Sequence, residues 1–452
     1  MKKLLYILVA LGLLTATALG AVSWWVMQKM GPETWVELAE KNWNCRAQID
    51  DAHLSLFTRP ATLKFTGVRL APRDLEVAKP YAERAPLPAV SALVEIPEIT
   101  LEVKLDDLLN RRLFVEQLSI IRPSVRETQD AKGKSSLEAL FKKPGSAEAV
   151  AATPETSPPP AQVETKAASE SSPAPAFAYA VKSARIEKGN LDIANGTTKV
   201  VIQDLDFALT DIDVNTNDLV NHNQMKAALS AVVNVSGMAR IQGAKRPAEL
   251  AHLILSGQGD IAPLSPATKE WHPVSNLTLT LAKSSVLAGH MTIGDAAGKD
   301  LRKLQEYGVD LAPVVIGGPL QADAVVTGTF ANDRFQTRSL TRFVFPEYEV
   351  AIEPKSWVNA AQDKHEIELR LSCGPALQSR LTTGIANAKL GDSLARAVTK
   401  ALSDEQGRMT FDIESEGSLS SPKVKPKVDR VLKNLLQGDG LGDLLQGLLK
   451  KL

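Results

Sequence analysis

The chain has 452 residues, and its 52 Lys and Arg balance 52 Asp and Glu, so no global field draws it to nucleic acid. Apolar residues make up 44% but aromatics only 5%, so any core is aliphatic, and the length allows about two or three domains or one elongated one. With only Cys45 and Cys373, a small disulfide scaffold is excluded, and one thiol in each half reads as two buried or incidental cysteines rather than a bridge.

Leu4 to Met27 contains no charged residue. As a helix rising ~1.5 Å per residue it would be roughly 36 Å long, enough to cross a ~30 Å hydrocarbon core with tilt. Lys2 and Lys3 precede it, and Trp24 and Trp25 close it where an aromatic belt would sit. Residues 1–30 are therefore expected to be a single-pass transmembrane anchor running from Leu4 to the Trp pair, with a cytoplasmic N-terminus. The alternative is a cleaved signal peptide, for which Ala18-Leu19-Gly20 is a poor site. Both readings export the rest of the chain.

Pro32 to Trp43 (PETWVELAEKNW) predicts a short helix with Pro in its first turn. From Arg46 the apolar period becomes two. Ile49, Leu54 and Leu56, then Leu63, Phe65, Val68 and Leu70, predict two strands turned at Phe57-Thr58-Arg59-Pro60, with Gly67 marking a bulge. The charged, Pro-rich stretch from Arg73 to Pro88 is expected to be a loop. Ile99, Leu101, Val103 and Leu105 form the next strand, Leu105, Leu108 and Leu109 a helical turn, and Val115, Leu118 and Ile120 a strand ending at Pro123. Ser135 should cap a helix to Phe141, with Glu138 at capping-box spacing. Residues 31–143 thus read as a first β region.

Residues 144–177 read as a linker: Pro, Ala, Ser and Thr dominate, with no Leu or Ile to offset the entropy of ordering. The region 178–420 alternates again. Leu229, Ala231, Val233 and Val235 form one strand, and Leu277, Leu279 and Leu281 another. Phe343 and Phe345, Tyr348 to Ile352, Ile367 to Leu371, and Met409 to Ile413 follow. Their polar neighbours, such as Thr278, Thr280, Glu366, Glu368 and Arg370, face the other way, the pattern of an antiparallel sheet with one wet face. Two helical inserts are expected, at Asp300 to Val309 and at Asn387 to Leu402, the second with Leu390, Leu394, Val398 and Leu402 at spacing four.

The tail, residues 421–452, carries two helical stripes: Val424, Val428, Val431, Leu432, Leu435 and Leu436, then Leu441, Leu444, Leu445, Leu448, Leu449 and Leu452. Gly438-Asp439-Gly440 separates them, and seven Lys or Arg stand against three Asp. Such a basic amphipathic helix suits an anionic membrane surface or, equally, the sheet's apolar face.

No catalytic constellation is present. His53, His222, His252, His272, His290 and His365 are scattered without metal-ligand spacing. The pairs Asp50-Asp51 and Asp106-Asp107 point neighbouring side chains apart, and there is neither a G-x-S-x-G nor a P-loop. Asn276-Leu277-Thr278 has the form of a glycosylation acceptor and nothing more. No enzyme, metal, cofactor or nucleic-acid partner is expected.

The alternation offers a surface instead. Leu229, Val233, Val235, Leu277, Leu279, Leu281, Phe343, Phe345, Ile367, Leu369, Leu371 and Phe411 are candidates to line an apolar face. On an exported, membrane-anchored protein acyl chains are the expected ligand of such a face. The competing reading is a two-sheet sandwich in which the same residues are core.

Four segments, taken in order, resemble AsmA-like proteins of the bacterial envelope: the anchor, the strand pair Ile49 to Leu70, the stretch Glu98 to Phe141, and Val181 to Val214. Within them, Ile99 to Pro123 follows that family's strand–turn–strand frame. Lys188 to Ile193 and Val201 to Leu209 follow its Gly-x-Leu-x-Ile strand and the Leu-x-Asp-Leu-Asp strand after it, with Gln203 inside. Gly417 to Pro426 (GSLSSPKVKP) is similar to its closing strand before a terminal helix, and Asn215 to Ala401 matches only in β-character.

The resemblance implies a mainly β protein: an N-terminal transmembrane helix, an elongated, curled antiparallel sheet shaped as an apolar groove, short helical inserts and a C-terminal amphipathic helix. It implies a bacterial inner-membrane anchor with the bulk in the periplasm, phospholipid bound through its acyl chains, and a part in outer-membrane biogenesis. An outer-membrane or envelope protein partner is a further expectation. Larger members are implicated in moving phospholipid toward the outer membrane. About fifteen strands at ~4.8 Å would make a sheet only ~70 Å long, short for crossing the envelope unaided, and the linker interrupts it. The alternative is a tethered scaffold or regulator of outer-membrane protein assembly with a closed β core and no lipid transport.

Overall fold

The computed structural model describes residues 31–55, 59–104, 112–129, 134–144, 178–241, 244–294, 305, 308–388, 392–419 and 422–427. The expected anchor with Leu4, Trp24 and Trp25, the turn at Leu105 to Leu109, the linker, the insert around Leu301 and Leu304, Leu390, and the tail beyond residue 427 lie outside them. Among the described residues no helix is long and apolar enough to cross a membrane. The chain is mainly β, as its alternation implies, and divides after Ala184 into two compact units.

The N-terminal unit starts with α1 (Pro32–Asn42), which carries Pro in its first turn and buries Val36. Strands β1 (Cys45–Gln48) and β2 (Asp51–Ser55) pair along one side of β3 (Ala61–Pro72), and β4 (Val94–Lys104) pairs along the other. Next come β5 (Arg112–Ile121), β6 (Ser124–Gln129), α2 (Ser136–Phe141) and β7 (Ala178–Val181). Ser135 caps α2 as its sequence requires, its Oγ accepting the Glu138 amide at 3.1 Å. Leu63 and Phe65 oppose Leu101 and Ile99, and all four are buried in the unit's aliphatic core.

Two expectations need correction here. The sheet is mixed, because β7 runs parallel to β5, Arg112 facing Ala178 and Val115 facing Val181. A parallel partner needs a long connection, which residues 122–177 provide. Gly67 is not a bulge: Thr66 faces Glu98 and Val68 faces Ile96, so the β3–β4 register is continuous. The buried side changes parity in both strands together, from Leu63 and Phe65 to Val68 and Leu70, and from Ile99 and Leu101 to Ile96 and Val94. With no extra residue in either strand, the apolar period changes without a register shift. Gly67 takes φ +62°, and a Cβ there would lie 1.9 Å from Asp50 Oδ2.

The expected loop after β3 is instead wound into three 3-10 turns, Leu75–Ala78, Tyr81–Glu83 and Ala89–Ser91, bonded into the sheet. Glu40, on α1, accepts the Ala47 amide at 3.0 Å and Arg84 Nη1 at 2.8 Å, with both side chains almost fully buried. Arg46 pairs with Asp74 at 2.8 Å, and Tyr81 Oη donates to the Ile49 carbonyl at 2.7 Å. Helix, strand and strap are thus joined by charge-assisted bonds within one unit.

In the C-terminal unit the strands are β8 (Ala184–Asn195), β9 (Thr198–Val214), β10 (Asn223–Ile241), β11 (Ala244–Leu264), β12 (Trp271–Leu281), β13 (Val286–Thr292) and β14 (Val315–Pro319). After them come β15 (Ala324–Ala331), β16 (Arg334–Thr337), β17 (Thr341–Val344), β18 (Tyr348–Ile352), β19 (Trp357–Asn359) and β20 (Lys364–Cys373). Helices α3 (Pro375–Asn387) and α4 (Asp392–Leu402) precede β21 (Thr410–Gly417) and β22 (Pro422–Pro426). The antiparallel ladder runs β9–β10–β11–β12–β15–β16–β19–β20–β21–β22. β13 and β14 join it through β11, while β18 and β17 join through β20.

Two features shape this ladder. Register slips opposite Asp204 and Asp211 of β9, both at positive φ, so that strand bulges twice and gains twist. Strand β22 reads PKVKP: its terminal prolines lack a donor and its lysines keep the edge solvated, both deterrents to further strand pairing. The sequence also hid a helix. α3 follows Gly374-Pro375 and buries Leu377, Leu381 and Ile385, a four-residue spacing that was legible.

Candidate functional site

Cross-strand partners in an antiparallel ladder share a face, so the register alone places the candidate residues. Leu229 faces Phe207 on β9 and Gly257 on β11, while Val233 faces Ile202 and Leu253, and Val235 faces Val200 and Ala251. Gly257 then faces Leu279, Gly259 faces Leu277, and Leu255 faces Leu281. The row continues through Val326 and Gly328 of β15, Phe330 opposite Phe335, and Val358 opposite His365. Ile367, Leu369 and Leu371 follow on β20, with Ile413 and Phe411 opposite the last two on β21. On β18 and β17, Val350 links Leu371 to Phe343. All these residues lie on one face of the C-terminal unit's sheet.

That face has two parts. At one end Phe345, Leu371 and Phe411 are 7%, 3% and 5% exposed, inside a cluster with Leu377, Leu381 and Ile385 of α3 and Val398 and Leu402 of α4. Leu281 and Phe343 pack against that cluster. These five candidates are core in this arrangement, covered by the helix pair. Leu229, Val233, Val235, Leu277, Leu279, Ile367 and Leu369 lie outside the cluster and are half-buried. Continuous burial of the kind found under α3 and α4 does not extend to them.

Glycines set the relief of this part. A Cβ at Gly257 would lie 2.6 Å from Leu279 Cδ2, and one at Gly259 would lie 2.7 Å from Leu277 Cδ2 and 2.3 Å from the Asn276 carbonyl oxygen. The β12 leucines therefore lean over the bare backbone of β11. Phe335 does the same over Gly328, its Cζ 2.4 Å from where a Cβ would sit. The surface is aliphatic with short aromatic margins and few polar atoms of its own.

Its main polar interruption is His365. That side chain is 4% exposed; its Nε2 lies 2.8 Å from Ser415 Oγ, and its Nδ1 is buried without a hydrogen-bond partner.

The opposite face is charged and wet. Arg370 pairs with Asp412 at 2.7 Å, and Lys427 pairs with Glu368 at 2.8 Å. A shallow trough of about 620 Å³ crosses this face over β9 to β15, lined in part by Lys226, Asp260, Thr278 and Arg338. Arg338 Nη1 is already engaged with Asn276 Oδ1 at 2.9 Å, and Lys226 with Asp211 at 2.8 Å. Both of these cations are thus already paired within the sheet.

Reactive groups are few. Cys45 and Cys373 are free and buried, and desolvation pushes each thiol up to about 12, so neither is a thiolate at neutral pH. Among the described residues no cluster of three or more His, Cys, Asp or Glu could hold a metal ion. No family model, no curated protein and no solved structure matches the chain.

Proposed function

We propose that the chain is an inner-membrane-anchored periplasmic protein of outer-membrane biogenesis that binds or passes phospholipid along this apolar face. One observation carries the reading: residues up to about 140 positions apart in sequence, from Leu229 to Leu369, meet on one face and stay half-buried outside the helix-capped cluster. A half-buried aliphatic face of this extent gains about 25 cal/mol for every Å² that an acyl chain covers. The uncharged segment at Leu4 to Met27 supports the anchor, and the resemblance to AsmA-like proteins supports the compartment and the ligand.

The test is transfer of a phospholipid carrying a fluorescent acyl chain from vesicles to the delipidated chain. Uptake is expected, and Ile367→Asp should reduce it, because a carboxylate in the path of the acyl chain must be desolvated. No uptake by folded protein would refute the lipid reading. The cluster under α3 and α4 favours a second reading, a tethered scaffold for outer-membrane protein assembly whose β core is closed. Failure of uptake would leave that one.

A further inference from the structure

We propose that a pocket at one end of the C-terminal unit's sheet binds a zwitterionic phosphoethanolamine group. On the lipid reading above, that group is the headgroup of the phospholipid on the apolar face, and only this source rests on that reading. The pocket holds about 460 Å³, and Trp357, Gln362, Asp363, Lys364, Glu366 and Glu416 are among the residues that line it. Register sets three of these in one row on the charged face, since Trp357 faces Glu366 and Glu366 faces Glu416.

The walls differ in chemistry. Trp357 donates from Nε1 to Glu366 Oε2 at 3.0 Å, which holds indole and carboxylate together. The guanidinium carbon of Arg334 lies 4.2 Å from the centre of the same ring, and its Nε is buried without a hydrogen-bond partner. The ring is thus already a platform for a cation held by its π electrons. Glu416 is paired with Lys425, and Asp363 accepts from Ser418 Oγ. Lys364 opens β20, is exposed, and has no salt-bridge partner among the described residues.

This mixture selects by charge. A simple anion would meet three carboxylates, and a simple cation would meet Lys364 and Arg334. A ligand bearing both signs satisfies both sets, its phosphate at Lys364 and its ammonium at Glu366 Oε1. Lys364 and Glu366 stand two residues apart on one strand face, roughly 7 Å between Cα atoms, and two methylenes separate the charges of phosphoethanolamine.

Position supplies the source. Val358 and Ile367, the next residues along β19 and β20 from Trp357 and Glu366, are half-buried on the apolar face. The pocket lies at the end of the strands, where Asn359 closes β19, Lys364 opens β20 and Gly417 closes β21. A phospholipid with its chains on Leu369 and Ile367 brings its headgroup over this end.

The test incorporates fluorotryptophan into the full-length chain in maltoside detergent and follows the Trp357 fluorine resonance, identified by its loss in Trp357→Phe. Glycerophosphoethanolamine, which has no acyl chains, should shift that resonance to saturation. Glycerophosphoglycerol, ethanolamine and inorganic phosphate should each need far higher concentrations. Glu366→Gln and Lys364→Gln should each weaken binding by about tenfold, the loss of one charge-assisted contact, and Glu368→Gln outside the pocket should not. No shift of the Trp357 resonance, or an equal shift with glycerophosphoglycerol, would overturn the proposal. In the vesicle assay the native chain should take up fluorescent phosphatidylethanolamine in preference to phosphatidylglycerol, and Glu366→Gln should erase the preference. Headgroup binding without uptake of either lipid would sink the lipid reading and assign the pocket to soluble phosphoethanolamine compounds. Uptake blind to the headgroup, with no Trp357 shift, would overturn the pocket and leave the lipid reading.

Discussion

At the scale of single residues, burial decides which chemistry is silent. Both thiols are inside the protein with ionisation pushed up to about 12, so a thiol-reactive chromophore should label neither Cys45 nor Cys373 in the native chain. It should label both after denaturation, and rapid labelling of the native chain would contradict the packing around them. Glu40 and Arg84 form the most buried ion pair among those described, at 5% and 9% side-chain exposure. Arg84→Met leaves the Glu40 carboxylate without its cation and should cost about 3–5 kcal/mol. Denaturant unfolding of the N-terminal unit checks this. A loss below about 1 kcal/mol would mean that the pair behaves as a surface one.

The unbridged, buried thiols were legible in the sequence, but the ion pair was not. Alternation marked Leu63, Phe65, Leu277 and Leu279 because a strand's period is local. The Glu40–Arg84 contact joins residues 44 apart, through a stretch whose Pro and charge read as an ordinary loop.

At the scale of elements, α3 and α4 decide how much of the sheet is core. Leu381 is 2% exposed between α3 and the strands, and Leu381→Ala should cost about 2–5 kcal/mol through lost burial and the cavity left behind. Thermal or denaturant unfolding measures it. The same helix is tied near its middle by Arg380, whose guanidinium gives Glu347 two bonds of 2.7 and 3.0 Å. The hydrogen bond from Arg380 holds the Glu347 carboxyl below its ordinary value of 4.5. A depressed folded value stabilises fully above 4.5 and is lost as pH falls through the folded value. Amide protection in α3 should therefore weaken as pH falls below that point, and Arg380→Met should remove this part of the pH dependence. Both groups are solvent-exposed, so the change is small. Equal acid sensitivity in the variant would exclude the pair as its source.

The elements themselves were partly legible. Helices at Pro32 and Ser136 announced themselves by Pro and a Ser cap, because caps are local chemistry. The short strands β14, β16 and β19 left too few alternations to register. The parity change at Gly67 looked like a bulge because the sequence does not show the matching change on β4. That α3 covers Leu371 and Phe411 follows only from the tertiary arrangement, so core and open face carried the same alternating signature.

At the scale of the molecule, the central claim is that one face of the C-terminal unit takes acyl chains while the other faces water. Adjacent residues on β12 separate the two: Leu279 faces Gly257 and Val326 on the apolar side, and Thr278 lines the polar trough. The most direct measurement is mass spectrometry of phospholipid retained by residues 31–452, purified without detergent. The native chain and Thr278→Asp should carry comparable, near-stoichiometric phospholipid, and Leu279→Asp should lose it while remaining folded. Empty native protein, or equal retention by the two variants, would contradict an acyl-binding face.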